Sequence, residues 1–228
     1  MQSARSIRLR LSLLMQETCP LPVYFGFDYL DQLLAKRKAG EPFVFMDHAY
    51  FERGYDKGNF RILVGKVHQT DIIPNLPIDR MPAFKEWKQG AKVYVIPVAP
   101  NLATWHDAHH WTTETVAELK KHTDREIVVK PKNGPPLKDL LHTAWAVVSH
   151  SSVAAVEAAQ NGVPVFGPET SPAFFVGNQF LDKIETPSFA ERREWLKTLS
   201  YSQFTLAEIA SGKAWSILKD VHGADNLC

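Results

Sequence analysis

The sequence predicts an α/β protein, with a parallel sheet covered by helices on both faces and a smaller α/β part ahead of it. Three observations carry this. From Ala91 onward, short apolar runs alternate with helical patterns, as in successive β-α-β units. Residues 146–168 hold one such unit entire: strand, polar turn, small-residue helix, turn, strand. The composition is that of a globular chain, with 228 residues, 45% hydrophobic and 22% charged, enough for one or two domains with a substantial core.

In chain order, Met1 to Met15 mixes Arg5, Arg8 and Arg10 with Leu9, Leu11, Leu13 and Leu14. It lacks an apolar run long enough for a secretory leader or a membrane span and reads as an ordinary first strand or helix. Val23 to Phe27 is a short strand running into a turn. Tyr29 to Lys38 has apolar residues at 30, 33 and 34 and reads as a helix ended by Ala39-Gly40. Pro42 to Met46 and Phe60 to Val67 are further strands. Residues 1–75 therefore form a reduced α/β part, too short for a second full nucleotide-binding domain. Pro74, Pro77 and Pro82 mark 76–90 as a linker. Lys92 to Val98 and Glu126 to Val129 are strands. Thr112 to Lys121 is a helix with Thr112-Thr113-Glu114 as its cap and first turn, and Leu137 to Thr143 is a short helix. Then come the strand at 146–148, the helix Val153 to Gln160 stopped by Asn161-Gly162, and the strand Val163 to Gly167. Residues 91–185 make one Rossmann-like domain, and 186–228 form two C-terminal helices whose aromatic residues belong to a core.

Ligands of such sheets sit beyond the carboxyl ends of the strands, so three turns matter: 99–106, 130–134 and 149–152. At the last, Ser149-His150-Ser151-Ser152 leads into the helix. Backbone N–H groups at a helix start suit a phosphate, and the same serines also serve as helix caps with no ligand. His150 is placed to contact phosphate or base, or to make a structural hydrogen bond. Glu157 lies among alanines and needs a partner, for which a ribose diol is a candidate. Lys130 and Lys132 either neutralise a phosphate or form a solvated loop. Asp47 and His48 follow a strand. A carboxylate or imidazole there can act as general base for a hydroxyl, or Asp47 can cap the turn.

Several classes are excluded or disfavoured. The net charge of +1 gives no global attraction to nucleic acid or anionic membrane. Cys19 and Cys228 form no disulfide framework and point to a reducing, cytoplasmic compartment. His106, His109 and His110 lack a second ligand element, so no metal is expected. The sequence contains no G-x-S-x-G, no G-x-G-x-x-G and no P-loop motif, which disfavours serine hydrolases, dinucleotide oxidoreductases and P-loop enzymes.

Ser151-Ser152, Glu157-Ala158, Gly162 and Pro164-Val165 match the pattern S-S-x-x-x-x-E-A-x-x-x-G-x-P-V. The stretch resembles the donor-nucleotide motif of GT-B glycosyltransferases of the capsule-polysaccharide type, over about twenty residues. The resemblance implies a minimal GT-B-like enzyme. Its donor site would comprise Lys130, Ser149, His150, Ser151, Ser152 and Glu157, with a nucleotide sugar as co-substrate and no other cofactor. The sugar would pass to an acceptor hydroxyl, with the donor held between the two parts of the chain. The family's acid-Asp-Gly-Phe segment with a nearby Arg corresponds to Met46-Asp47-His48-Ala49-Tyr50-Phe51 with Arg53, where Met46 replaces the acid and Ala49 the glycine. Asp47 and His48 are the catalytic candidates that follow. The acceptor implied is a glycan. A compact transferase of this kind in a bacteriophage, acting on modified DNA, is a further option that the near-neutral charge weighs against. The alternatives are an enzyme like the NDP-sugar 2-epimerases, which share the Glu-bearing motif, and a non-catalytic nucleotide-binding module.

Overall fold

A computed structural model of the chain describes residues 15, 19–54, 58–88 and 90–222. The element expected over 1–15, apart from Met15, lies outside these residues, as does Cys228. The described chain is a mixed α/β protein with two four-stranded sheets, one mixed and one parallel. It divides into two compact units. The first comprises the described parts of Met1–Gln69, Ile73–Met81 and Leu196–Cys228, and the second Thr70–Ile72 and Pro82–Trp195.

In the first unit, β1 (Val23–Phe25) leads to α1 (Leu30–Ala39), then β2 (Val44–His48) and β3 (Asn59–Val64). α1 stops at Gly40, whose φ of 68° is the left-handed conformation that favours glycine. β1 pairs parallel with β2, and β2 pairs antiparallel with β3. The fourth strand, β8 (Gln203–Thr205), comes from the far end of the chain and pairs antiparallel with β3. The periodicity after Pro187 suggests helices alone. Three strand residues make too short a local signal, and β8 exists because β3 offers it an edge. It is flanked by α6 (Arg193–Ser200) and α7 (Leu206–Ala210), and α8 (Lys213–His222) follows. Thr205 and Glu208 close a reciprocal capping box at the start of α7. Val44 and Met46 of β2, Phe60 and Ile62 of β3 and Phe204 of β8 form one core with Ile209, Trp215 and Leu218.

In the second unit, β4 (Lys92–Ile96), β5 (Ile127–Val129), β6 (Ala144–Ser149) and β7 (Val165–Phe166) form an all-parallel sheet in the order β5-β4-β6-β7. Between β4 and β5 lie α2 (Pro100–His106) and α3 (Trp111–Leu119), and α4 (Leu137–Leu140) precedes β6. α5 (Ala154–Gln160) joins β6 to β7. Val93, Val95, Ala146, Val148 and Phe166 pack with Leu119, Val116 and Trp111 of α3. The alternate residues Tyr94, Val147 and Val165 point to the other face and are buried as well, so the sheet is covered on both sides. Among the described residues, no helix is long and apolar enough to cross a membrane.

Of residues 99–106, expected as a turn, Pro100–His106 are helical. Pro100 occupies the first turn of α2, where its missing N–H costs nothing, and Asp107 ends the helix at φ 52°. Thr112 is not a cap: its hydroxyl accepts the Val98 N–H at 3.3 Å. The proline-marked segment is divided between the units at Met81 and Pro82. Its second half is tightly held. Lys85 N–H donates to the Gln160 carbonyl at 2.9 Å and Lys88 N–H to that of Gly162 at 2.7 Å. The Arg192 guanidinium, stacked on Trp87, donates to the carbonyls of Ala159 at 2.6 Å and Lys85 at 2.7 Å.

Gly162 stands where α5 meets this segment. Its φ is +80°, and a Cβ there would be driven into the Glu86 carbonyl. Gly162→Ala is expected to destabilise the protein by about 2–4 kcal/mol, since backbone strain and collision add. Denaturant unfolding measures it, and a loss under about 0.5 kcal/mol, the range of a neutral surface change, contradicts the account.

Candidate functional site

The sheet of the second unit changes direction at β4: β5 lies on one side of it and β6 on the other. Connections leaving β4 and β5 therefore run opposite ways, which makes the carboxyl ends of β4 and β6 the place where sheets of this kind bind ligands. The chain leaving β6 is Ser149-His150-Ser151-Ser152, so the sequence motif falls at this point. Ser149 is fully buried, and its carbonyl leaves no room for a Cβ at Gly167, where the chain leaves β7.

The serines divide their work. The Ser149 hydroxyl accepts the Ser152 N–H at 3.3 Å, and the Ser152 hydroxyl accepts the Ala154 N–H at 3.2 Å. The turn thus occupies two of the N–H groups that an approaching anion would use. Ser151 differs: it is 2% exposed and its hydroxyl has no hydrogen-bond partner. A buried polar atom left in that condition costs about 1–3 kcal/mol, and the hydroxyl is available to an incoming hydrogen-bond partner. His150, 7% exposed, sits against His106 of α2 at 5.2 Å and against the edge of Trp111 of α3 at 5.3 Å between ring centroids. Its Nδ1 lies 3.2 Å from the Thr170 hydroxyl, and its own carbonyl accepts from that hydroxyl at 3.1 Å. Burial pushes the imidazole below its usual range, so it is neutral at pH 7.

Glu157 is not enclosed as the alanine pattern suggested. With Ala154 and Gln160 it lies on the half-buried stripe of α5, while Ala155, Val156, Ala158 and Ala159 face inward. Lys130 leaves β5, the strand on the far side of β4, and therefore starts about 10 Å from β6 at two strand spacings. Its ammonium donates to the Pro131 carbonyl at 3.3 Å. Lys132 is exposed, as are His109 and His110.

Asp47 and His48 belong to the first unit, and both lie within β2, which runs two residues further than the sequence suggests. Side chains of a strand alternate, so the two point to opposite faces. The His48 ring packs against Phe25 and Phe60 on the core face. Asp47 stands opposite Arg61, and Arg61 opposite Gln203, in a row across β2, β3 and β8. Both carboxylate oxygens are engaged: Oδ2 with Arg61 at 2.8 Å and Oδ1 with the His48 N–H at 2.7 Å. Arg61, 4% exposed, also donates to the carbonyls of Val67 at 3.2 Å and His48 at 2.8 Å. Gln203 accepts the N–H groups of Tyr50 and Phe51, each at 3.0 Å. The Tyr50 hydroxyl accepts the Gln69 N–H at 2.8 Å, and burial pushes its ionisation up to about 12.

Sequence reading missed Arg61, Gln203, Thr170 and Trp111. A lone arginine inside the apolar run Asn59–Val64 is the one local signal that was available, because a charge on a buried strand requires a countercharge. Thr170 and Trp111 carry no such signal and are recruited by the fold. Comparison with protein-family models gives no match for this chain, and comparison with curated proteins gives none.

Two outcomes follow for the first unit. Asp47→Asn leaves Arg61 without its countercharge and should cost about 1–3 kcal/mol. In an Arg61→Met background the same change should cost distinctly less. Equal costs in both backgrounds would show that the two do not interact. Stability should also fall from pH 10 to pH 12. There the unfolded chain ionises its tyrosines while Tyr50 stays neutral in the folded state, with a slope of up to about 1.4 kcal/mol per pH unit. Tyr50→Phe should reduce that slope, as read by urea titrations at each pH.

Proposed function

We propose that the second unit binds a nucleotide sugar outside the carboxyl ends of β4 and β6, and that the protein moves the sugar to an acceptor hydroxyl. This reading takes the parallel sheet as Rossmann-like and the chain as a reduced GT-B-type enzyme. The observation that carries it is the coincidence of three things at one place: the reversal of strand order, the Ser149–Ser152 turn, and the buried, unpartnered hydroxyl of Ser151. The resemblance of 151–165 to the donor motif of capsule-type transferases names the ligand class. In this reading the leaving phosphate meets the turn, Ser151 supplies a hydrogen bond from a dry position, and Lys130 supplies charge as a flexible cation.

A second reading, a module that binds nucleotide sugar without turnover, is favoured by the state of Asp47. Its carboxylate is engaged by Arg61 and by the His48 N–H, which leaves it poorly placed to take a proton from an acceptor.

Melting curves with CMP, UDP, GDP and dTDP and their sugars test the binding. A ligand at a hundred times its Kd should add about 2.7 kcal/mol. Ser151→Ala should weaken that ligand about tenfold, the usual effect of one hydrogen bond, while the melting temperature of the free protein holds or rises. No response to any of these nucleotides at millimolar concentration ends the proposal. Release of free nucleotide in the presence of glycan acceptors then separates a transferase from a binding module.

A further inference from the structure

His150 is held in a way that decides what it can recognise. A hydroxyl has one proton, and a carbonyl oxygen can only accept. The Thr170 hydroxyl therefore gives its proton to the His150 carbonyl at 3.1 Å. What it offers to Nδ1, 3.2 Å away, is a lone pair, so Nδ1 carries the ring proton. In a neutral imidazole the other nitrogen is then an acceptor. Nε2 has no hydrogen-bond partner among the described residues, in a side chain that is 7% exposed. The hydroxyl of Ser151, the next residue, is buried and equally without a partner.

We infer that Thr170 fixes His150 as the Nδ1–H tautomer, so that Nε2 accepts a hydrogen bond from a ligand hydroxyl and this part of the site takes a sugar or ribose hydroxyl rather than a phosphate oxygen. The diester-type phosphates of a nucleotide sugar carry no proton at neutral pH, so their oxygens have none to give, and a bare imidazole nitrogen facing them would repel them. The groups packed on the ring agree with a neutral state: Trp111 and Thr170 carry no charge, His106 is a second imidazole, and burial disfavours protonation of His150. The inference rests on the ligand site proposed above and adds the chemistry of one contact within it.

Long-range proton–nitrogen spectra of the full chain labelled with 15N-histidine test it, with the His150 signals assigned by their loss in His150→Gln. In the wild type at pH 7.5, Nδ1 should be the protonated nitrogen and Nε2 the bare one. In Thr170→Val that preference should be lost. Ribonucleosides and methyl pyranosides are then titrated separately, which distinguishes a ribose from a pyranose as the source of the hydroxyl, and dimethyl phosphate, a phosphate with no P–OH, is titrated as the anion. One of the two hydroxyl ligands should shift Nε2 upfield, and phosphate should not. Thr170→Val should bind that ligand about tenfold more weakly, and His150→Gln, whose amide oxygen can replace Nε2 as acceptor, should retain most of the affinity. A proton on Nε2 in the wild type, a response to phosphate alone, or silence toward every nucleoside and pyranoside overturns the inference. If nucleotides stabilise the protein while Nε2 stays silent, only this inference falls. If a pyranoside moves Nε2 while no nucleotide stabilises the protein, the nucleotide-sugar reading falls and this inference stands.

Discussion

The second unit is organised by β4. It is hydrogen-bonded on both edges, to β5 and to β6, and apolar residues bury it on both faces. The chain leaves β4 toward β5 on one side, then returns past β4 to β6 and on to β7, and right-handed crossovers that run in opposite directions lie on opposite faces. The carboxyl ends of β4 and β6 lie where the two sets part. The chain leaving β6 must turn there, so its polar residues occupy a dry rim instead of open solvent. The buried condition of Ser149, His150 and Ser151 follows from that one arrangement.

Within the rim, hydrogen-bond accounting separates structure from opportunity. Ser149 and Ser152 use their hydroxyls on the turn itself, which stabilises the entry into α5 without a ligand. The Thr170 hydroxyl is committed to His150, at its carbonyl and at Nδ1. What remains is one hydroxyl and one ring nitrogen, from residues adjacent in sequence, Ser151 and His150. The seven-residue length of α5 makes its dipole a minor contributor, so recognition here rests on side-chain chemistry.

The first unit shows the same logic turned toward stability. A buried arginine is tolerable only when its donors are taken, and Arg61 spends them on Asp47 and on the carbonyls of His48 and Val67. Strand register places Asp47, Arg61 and Gln203 in one row. Gln203 then fixes the backbone of Tyr50 and Phe51 across more than 150 residues of chain, with the pair separated by 152 positions in one case. The position that looked most like a general base is the countercharge of this row.

Local pattern determined a good deal. Strands formed within or across the apolar runs at 23–27, 42–46, 92–98 and 146–148, Gly40 and Gly162 ended helices, and the polar turn at 149–152 fell at a strand's carboxyl end, because each depends on propensity, periodicity or φ within a few residues. Tertiary structure decided what depends on partners far away. β8 is a strand because β3 has a free edge, residues 82–88 are held because Arg192 and the end of α5 bind them, and Glu157 is half-buried because the alanines beside it, not Glu157, face inward. It also put Asp47 and His48 on opposite faces by extending β2 two residues, a shift that sequence cannot resolve and that side-chain alternation turns into a change of role.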